Sequence, residues 1–163
     1  MCYSRRDRRS MRLATILIAA ALAGPVTAAD AFYLGNWKIT SALAAPWADS
    51  ERKPDETERN SLVGKLVTIQ PAGITGPRAL TCKGPRYHLR DYGADMIFQG
   101  MLDEVRRRDP AKDPVKLAAA LGFKGMSWKT LETGCANELE LHFVDASTAE
   151  FGLNNYVYVM KKD

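Results

Sequence analysis

The sequence predicts a mostly β protein, an antiparallel barrel with one short helix near residues 114–121; a sandwich of two sheets is the alternative. Several segments alternate apolar and polar residues, or are rich in β-branched and aromatic residues, which is typical of strands. Pairs such as Gly76-Pro77 and Gly84-Pro85 separate these segments. The strands between such breaks have to be short, and many short strands favour an all-β domain.

The N-terminus has the organisation of a secretory signal peptide over residues 1–29, which leaves residues 30–163 as a single β-rich domain. Five arginines among the first twelve residues precede the uncharged run 13–24, and small residues follow Pro25. This run is shorter than the roughly 20 residues that cross a bilayer. We therefore expect a periplasmic or secreted protein with no membrane span after cleavage.

The limits of the signal peptide stay open. Cleavage can follow Ala28 or Ala29, and Met1 or Met11 can be the start. Removal of residues 1–29 takes five arginines and one aspartate from the 23 basic and 19 acidic residues, which leaves 18 of each. A nucleic-acid-binding domain typically carries a basic surplus, so we expect no nucleic-acid partner.

Two cysteines, Cys82 and Cys135, remain in the mature chain, because Cys2 lies in the segment that is removed. In an oxidising compartment, two cysteines most simply form one disulfide. Neither has a C-x-x-C partner or the Cys-His spacing of a zinc site. The sequence therefore predicts a structural disulfide between Cys82 and Cys135.

The first half of the mature chain contains three predicted strands. Residues 36–43 alternate, with Trp37 and Ile39 on one side, and residues 65–70 are rich in β-branched residues. Residues 87–92 can form a third strand. The polar residues 49–60 between the first two predict an exposed loop, with room for a turn of helix after Pro54.

The predicted helix covers residues 114–121, where Asp113 can cap it, Pro114 takes the first helical position and Gly122 ends it. Residues 95–102 are apolar and are compatible with either a strand or a helix.

The last third of the chain predicts a hairpin and a final strand. Residues 138–143 alternate strictly, so one face is expected in the core and the other in solvent. The apolar set is Leu139, Leu141 and Phe143, and the polar set is Glu138, Glu140 and His142. Residues 145–148 predict a turn and residues 155–160 a strand. Because barrel closure removes exposed edges, we expect strands 36–43 and 155–160 to be neighbours or to share one sheet.

The Gly35-Asn36-Trp37 motif at the start of the first strand resembles the G-x-W opening of lipocalins and related calycin barrels. The resemblance implies a small up-and-down barrel whose base is closed by Trp37 and whose interior holds a small apolar ligand. In that family an arginine on the last strand usually packs over the tryptophan, whereas this chain ends in Lys161-Lys162 before Asp163.

Aromatic residues on predicted strands are the candidate ligand contacts, because ligand pockets are mostly apolar. They are Trp37, Tyr87, Trp128, Phe143, Tyr156 and Tyr158. Candidate partner contacts are Trp47, in a loop, and the basic run Arg106, Arg107 and Arg108. This run is either a docking patch for an acidic surface or a solvated loop that nearby acidic residues neutralise.

The mature sequence contains no common nucleophile, metalloprotease, phosphate-binding or haem-attachment motif. Its two histidines, His88 and His142, are expected at the surface, and we expect no metal, no other cofactor and no enzymatic activity. The predicted function is binding of a small apolar or amphipathic ligand by a periplasmic or secreted barrel. The alternative is a module that binds an envelope or extracellular protein, such as an inhibitor of a lysozyme-type hydrolase.

Overall fold

A computed structural model describes residues 31–49 and 55–163; the predicted signal peptide lies outside the described residues. Within these ranges nine strands form one antiparallel sheet in the order β4-β3-β2-β1-β9-β8-β7-β6-β5. The strands are β1 (Gly35–Ala44), β2 (Leu66–Gln70), β3 (Gly73–Thr75), β4 (Cys82–Lys83), β5 (His88–Tyr92), β6 (Trp128–Glu132), β7 (Glu140–Asp145), β8 (Thr148–Leu153) and β9 (Tyr156–Lys162). The α-helices in the same ranges are α1 (Glu56–Leu62), α2 (Met101–Arg108) and α3 (Pro114–Ala120), and Arg78–Leu80 and Phe98–Gly100 are short 3-10 helices.

The sheet curls into a half-barrel, and the mostly β prediction is confirmed. The first and last strands pair along their length, with Ile39 opposite Met160 and Trp37 opposite Lys162. The expectation that these strands are neighbours is therefore confirmed, and the two-sheet sandwich is not formed.

The predicted disulfide joins Cys82 and Cys135, whose Cα atoms are 5.9 Å apart. Cys82 lies on β4, at one edge of the sheet, and Cys135 follows β6, which pairs with the strand at the other edge. Two hydrogen bonds span the same gap. The Tyr87 hydroxyl donates to the Gln70 carbonyl at 2.9 Å, and the Asn137 amide donates to the Ala79 carbonyl at 2.8 Å. The two edges of the half-barrel are thus tied together.

The inner face of the half-barrel forms one of two cores. Trp37 and Ile39 are fully buried there, together with the predicted apolar set Leu139, Leu141 and Phe143. The Lys162 ammonium lies 5.7 Å from the centre of the Trp37 ring, so a cation covers this ring although the sequence has no arginine there.

The connection between β5 and β6 forms a helical cover, residues 93–127, on the outer face of the sheet. Phe98, Leu102, Ala118 and Phe123 of this cover form the second core with Trp128 of β6. Part of the sheet is therefore buried on both faces.

The double burial overturns the prediction for the polar face of residues 138–143. His142 is 0% exposed, the Glu140 side chain is 19% exposed, and only Glu138 lies in solvent. Strict alternation identified two faces correctly, but it could not show that the helical cover packs on the second one. The expectation that His142 lies at the surface is wrong.

The predicted helix is confirmed as α3, where the Asp113 carboxylate accepts from the Val115 N–H at 2.9 Å. The turn of helix expected after Pro54 is α1, capped by Asp55. Residues 95–97 form a turn, Phe98–Gly100 a short 3-10 helix, and residues 101–102 the start of α2, so this segment is not a strand. The basic run Arg106 to Arg108 is the last turn of α2, not a loop as expected.

Candidate functional site

Four of the six predicted ligand-contact aromatics meet in the inner core. Trp37, Phe143, Tyr156 and Tyr158 are at most 4% exposed. The Trp37 and Phe143 ring centres are 5.8 Å apart, and Tyr158 stacks on Phe151 at 5.1 Å. These rings pack against one another, so they fill the interior of the half-barrel.

The mouth of the half-barrel is the end at which β1 ends, β2 begins and β6 leads into β7, and α1 lies across it. The Tyr158 hydroxyl donates to the Glu58 carboxylate at 2.9 Å, and the Tyr156 hydroxyl to Glu56 at 3.2 Å. Burial and the Glu58 bond raise the pKa of Tyr158. Both hydroxyls therefore hold α1 in place.

The remaining two aromatics lie apart from this group. Tyr87 is half-buried at the disulfide-bridged gap. Trp128 belongs to the outer core, where its indole N–H donates to the Lys124 carbonyl at 2.8 Å. Trp128, Phe143 and Phe32 line a cavity of about 440 Å³ at the base, the end opposite the mouth.

The predicted partner contacts also have structural roles. The Trp47 indole N–H donates to the Asn154 carbonyl at 2.9 Å, and its ring covers Gly152, where a Cβ atom would come within 3.1 Å of it. Trp47 is half-buried.

The three arginines of α2 are exposed but paired. Arg106 and Arg107 contact Asp103, the latter at 3.0 Å, and Arg108 lies 3.9 Å from Glu104. Of the two interpretations, the solvated, neutralised one agrees with this pairing, in a helix rather than in a loop.

A buried polar row crosses the outer face beneath the helical cover, formed by Thr130, His142 and Glu150 on three adjacent strands. The Phe98 backbone N–H donates to His142 Nε2 at 2.9 Å, and Thr130 Oγ1 lies 2.9 Å from Nδ1. Because Nε2 accepts, the proton of the neutral ring is on Nδ1, which donates to Thr130. Burial lowers the pKa of His142 to about 3, so the ring stays neutral.

His142 holds a left-handed turn against the sheet. The φ angles of Phe98, Gln99 and Gly100 are 54°, 52° and 76°. Left-handed backbone is unfavourable for phenylalanine and glutamine. The bond from Phe98 to His142 and the bond from the Gln99 side-chain amide to the Glu138 carbonyl, at 3.3 Å, offset this cost. With both nitrogens engaged, His142 acts as a structural residue.

Glu150 is the unusual member of the row, because it is 2% exposed and its Oε2 atom has no partner among the described residues. Burial raises the pKa of Glu150 to about 8, although the nearby Lys161 opposes the shift. The carboxyl group is therefore mostly protonated at neutral pH. No group of three or more histidine, cysteine, aspartate or glutamate side chains in the described residues is arranged to hold a metal ion.

A groove of about 820 Å³ lies at the mouth, and we call it the mouth groove. It runs between the end of α1, the start of β2 and the turn before β4. Its lining is Ser61, Leu62, Lys65, Leu66, Gly76, Pro77, Arg78, Ala79 and Asn137. The floor is mostly apolar, and the described lining contains two cations and no acidic residue.

A neighbouring cavity has the opposite charge. It measures about 280 Å³ and is lined in part by Glu132, Glu138 and Glu140. Arg90 lies 3.5 Å from Glu132, and the Tyr92 hydroxyl also donates to Glu132. Burial and the Glu132 charge raise the pKa of Glu140. The linings of these two cavities therefore carry charges of opposite sign.

Sequence reasoning missed the mouth groove, because its residues come from a helix end, a strand start and two turns that share no motif. The pair Gly76-Pro77 marked one of these turns, but not its neighbours.

No helix in residues 31–49 or 55–163 has the length and apolar character that a membrane crossing requires. No family model, no curated protein and no solved structure matches the chain.

Proposed function

We propose that this protein is a non-enzymatic binding protein that holds a small amphipathic ligand in the mouth groove. The observation that carries the proposal is a groove of about 820 Å³ that combines an apolar floor with a few polar groups. Small-molecule sites typically enclose about 300–1,000 Å³ and have this mixture. The mouth groove is therefore suited to a ligand with an apolar part and a polar part.

The filled interior favours the mouth groove over the inside of the half-barrel. Tyr158, Phe151 and Ile39 are fully buried by their neighbours, so an interior ligand would have to displace packed rings. The lipocalin-like resemblance is supported in its strand arrangement alone. β1 pairs with β9, and Lys162 lies over Trp37. The ligand site we propose lies outside the barrel interior that this resemblance implies.

A periplasmic or secreted location belongs to the same proposal. It is supported by the disulfide between Cys82 and Cys135 and by the basic and apolar organisation of residues 1–29. The structural role of His142, whose two nitrogens are engaged, supports a non-catalytic protein.

A protein-binding module, such as a hydrolase inhibitor, is the second candidate. The observation in its favour is the 54% exposed side chain of Leu66 at the groove, which a partner's apolar side chain would cover. In this alternative the groove takes a side chain of the partner in place of a free ligand.

A fluorescent probe tests the proposed site. We expect the uncharged dye N-phenyl-1-naphthylamine to bind the oxidised protein saturably and with one site. Ala79→Trp should fill the groove and abolish this signal, because Ala79 is an exposed lining residue. Ala111→Trp, at an exposed position after α2, is the matched control and should bind like the parent protein. Unchanged binding by Ala79→Trp contradicts the proposed site.

A further inference from the structure

We infer that the ligand of the mouth groove is a single-chain amphiphile with an anionic head group, which Lys65 and Arg78 bind. The inference rests on the proposed function of the groove and adds the charge and shape of its ligand. The alkyl chain would lie on Leu62 and Leu66, beside the two cations.

The first argument is charge. Lys65 and Arg78 are exposed, and neither forms an ion pair or a side-chain hydrogen bond with any described residue. The arginines of α2, by contrast, all have carboxylate partners. The mature chain has no formal net charge, so two unpaired cations in a groove without a described acidic residue are a local excess. Such a surface attracts an anion.

The second argument is the rigidity of the wall that carries Arg78. A Cβ atom on Gly76, whose φ is 154°, would come within 2.9 Å of the Leu66 carbonyl oxygen, so only glycine allows this close approach to β2. On the other side, the Asn137 amide donates to the Ala79 carbonyl. The disulfide starts three residues after Ala79. The backbone at Arg78 is thus held close to β2 before any ligand binds, and Arg78 lines the same groove as Lys65.

The third argument is the chemistry of the head group. A guanidinium presents a fork of N–H donors that matches a carboxylate or a phosphate, and an ammonium adds a point charge. The apolar floor beside the cations excludes a small inorganic anion as the best ligand, because such an anion would leave the 54% exposed Leu66 uncovered. An alkyl carboxylate or alkyl phosphate satisfies both requirements.

Competition against the bound dye tests the inference on the full oxidised protein. Decanoate, decyl phosphate and 1-decanol share one chain and differ in the head group. We expect the two anions to displace the dye at concentrations about tenfold lower than decanol, and the better of the two identifies the head group. Lys65→Gln combined with Arg78→Gln should remove most of this preference, about threefold to fivefold for each cation, with displacement by decanol from the same variant as the reference.

The control variant Lys112→Gln with Lys116→Gln removes two exposed cations near α3 and should keep the preference. Equal displacement by all three compounds overturns the inference but leaves the proposed groove intact. An anion preference that persists in the variant with Lys65→Gln and Arg78→Gln also overturns the inference and leaves the proposed groove intact. If the dye does not bind, or if none of the three compounds displaces it, both the inference and the proposed function are overturned.

Discussion

The mouth groove and the buried polar row both contain polar side chains, but the surroundings of these side chains differ. In the row, both nitrogens of His142 have partners and the ring is fully buried. In the groove, Lys65 and Arg78 are exposed and have no described partner. The histidine, the residue most often associated with chemistry, is structural here, and two ordinary surface cations are the better candidates for binding. Satisfaction of hydrogen bonds distinguishes His142 from Lys65 and Arg78 more clearly than residue type does.

The largest expected effect is the loss of folding in Leu141→Asp, which we compare with the same change at Leu66. Leu141→Asp places a carboxylate in the inner core, where Leu141 is 1% exposed, and should prevent folding. Leu66→Asp changes a 54% exposed residue of the groove and should fold but lose the dye signal. Soluble yield and far-UV circular dichroism check the first statement, and a dye titration checks the second. A folded Leu141→Asp protein would contradict the burial of this strand.

Removal of the disulfide should have the next largest effect. Replacement of both Cys82 and Cys135 by serine opens a loop of 53 residues, which should lower the free energy of unfolding by about 4 kcal/mol. Urea denaturation of the variant and of the oxidised protein measures the difference. The variant should also bind the dye more weakly, because the bond supports the groove wall. Equal stability of the two proteins would show that the other contacts across the gap suffice.

Glu150 should make stability depend on pH. Because burial raises its pKa to about 8, the folded protein keeps a proton that the unfolded chain loses above about pH 4.5. The folded state is therefore favoured most at low pH, and this contribution is lost as the pH rises to 8. Glu150→Gln removes the titration. The free energy of unfolding of Glu150→Gln minus that of the parent protein should therefore increase by about 3 kcal/mol between pH 5 and pH 8.

Urea denaturation of both proteins at both pH values gives this comparison. His142 is present in both proteins and contributes equally to the pH dependence of their stability. Its own low pKa acts in the opposite direction, since folding is disfavoured as the pH falls from about 6.5 to 3. A pH-independent difference between the parent protein and Glu150→Gln would show that Glu150 is ionised in the folded state.

The smallest of these effects concerns His142 itself. His142→Ala leaves the Phe98 N–H without its acceptor and creates a cavity, so we expect a loss of about 2–3 kcal/mol. Amide hydrogen exchange should show faster exchange of Phe98 and Gln99, while the dye still binds in the mouth groove. Loss of dye binding with an intact fold would break the distinction between the two regions.

The sequence predicted what local patterns control and missed what long-range packing controls. Alternation predicted the strand at 36–43, and capping residues predicted the helix from Pro114. The expected oxidising compartment predicted the pairing of Cys82 with Cys135. All three features are present. The burial of His142 depends on the helical cover, which is joined to the sheet through distant contacts. The mouth groove depends on three separate stretches of chain, residues 61–66, residues 76–79 and Asn137, that meet only in the fold, so no local signal identifies it.

The position of β1 has a consequence for how the chain acquires its structure. β5 to β9 follow one another in the sheet, whereas β1, the first strand among the described residues, has its longest pairing with β9, the last of them. Trp37 and Ile39 therefore lack part of their cover until the C-terminus has emerged. Contacts between such distant parts of a chain slow folding, and the exposed apolar strand favours aggregation in the meantime. Nascent and C-terminally truncated chains are consequently the forms that depend most on chaperones.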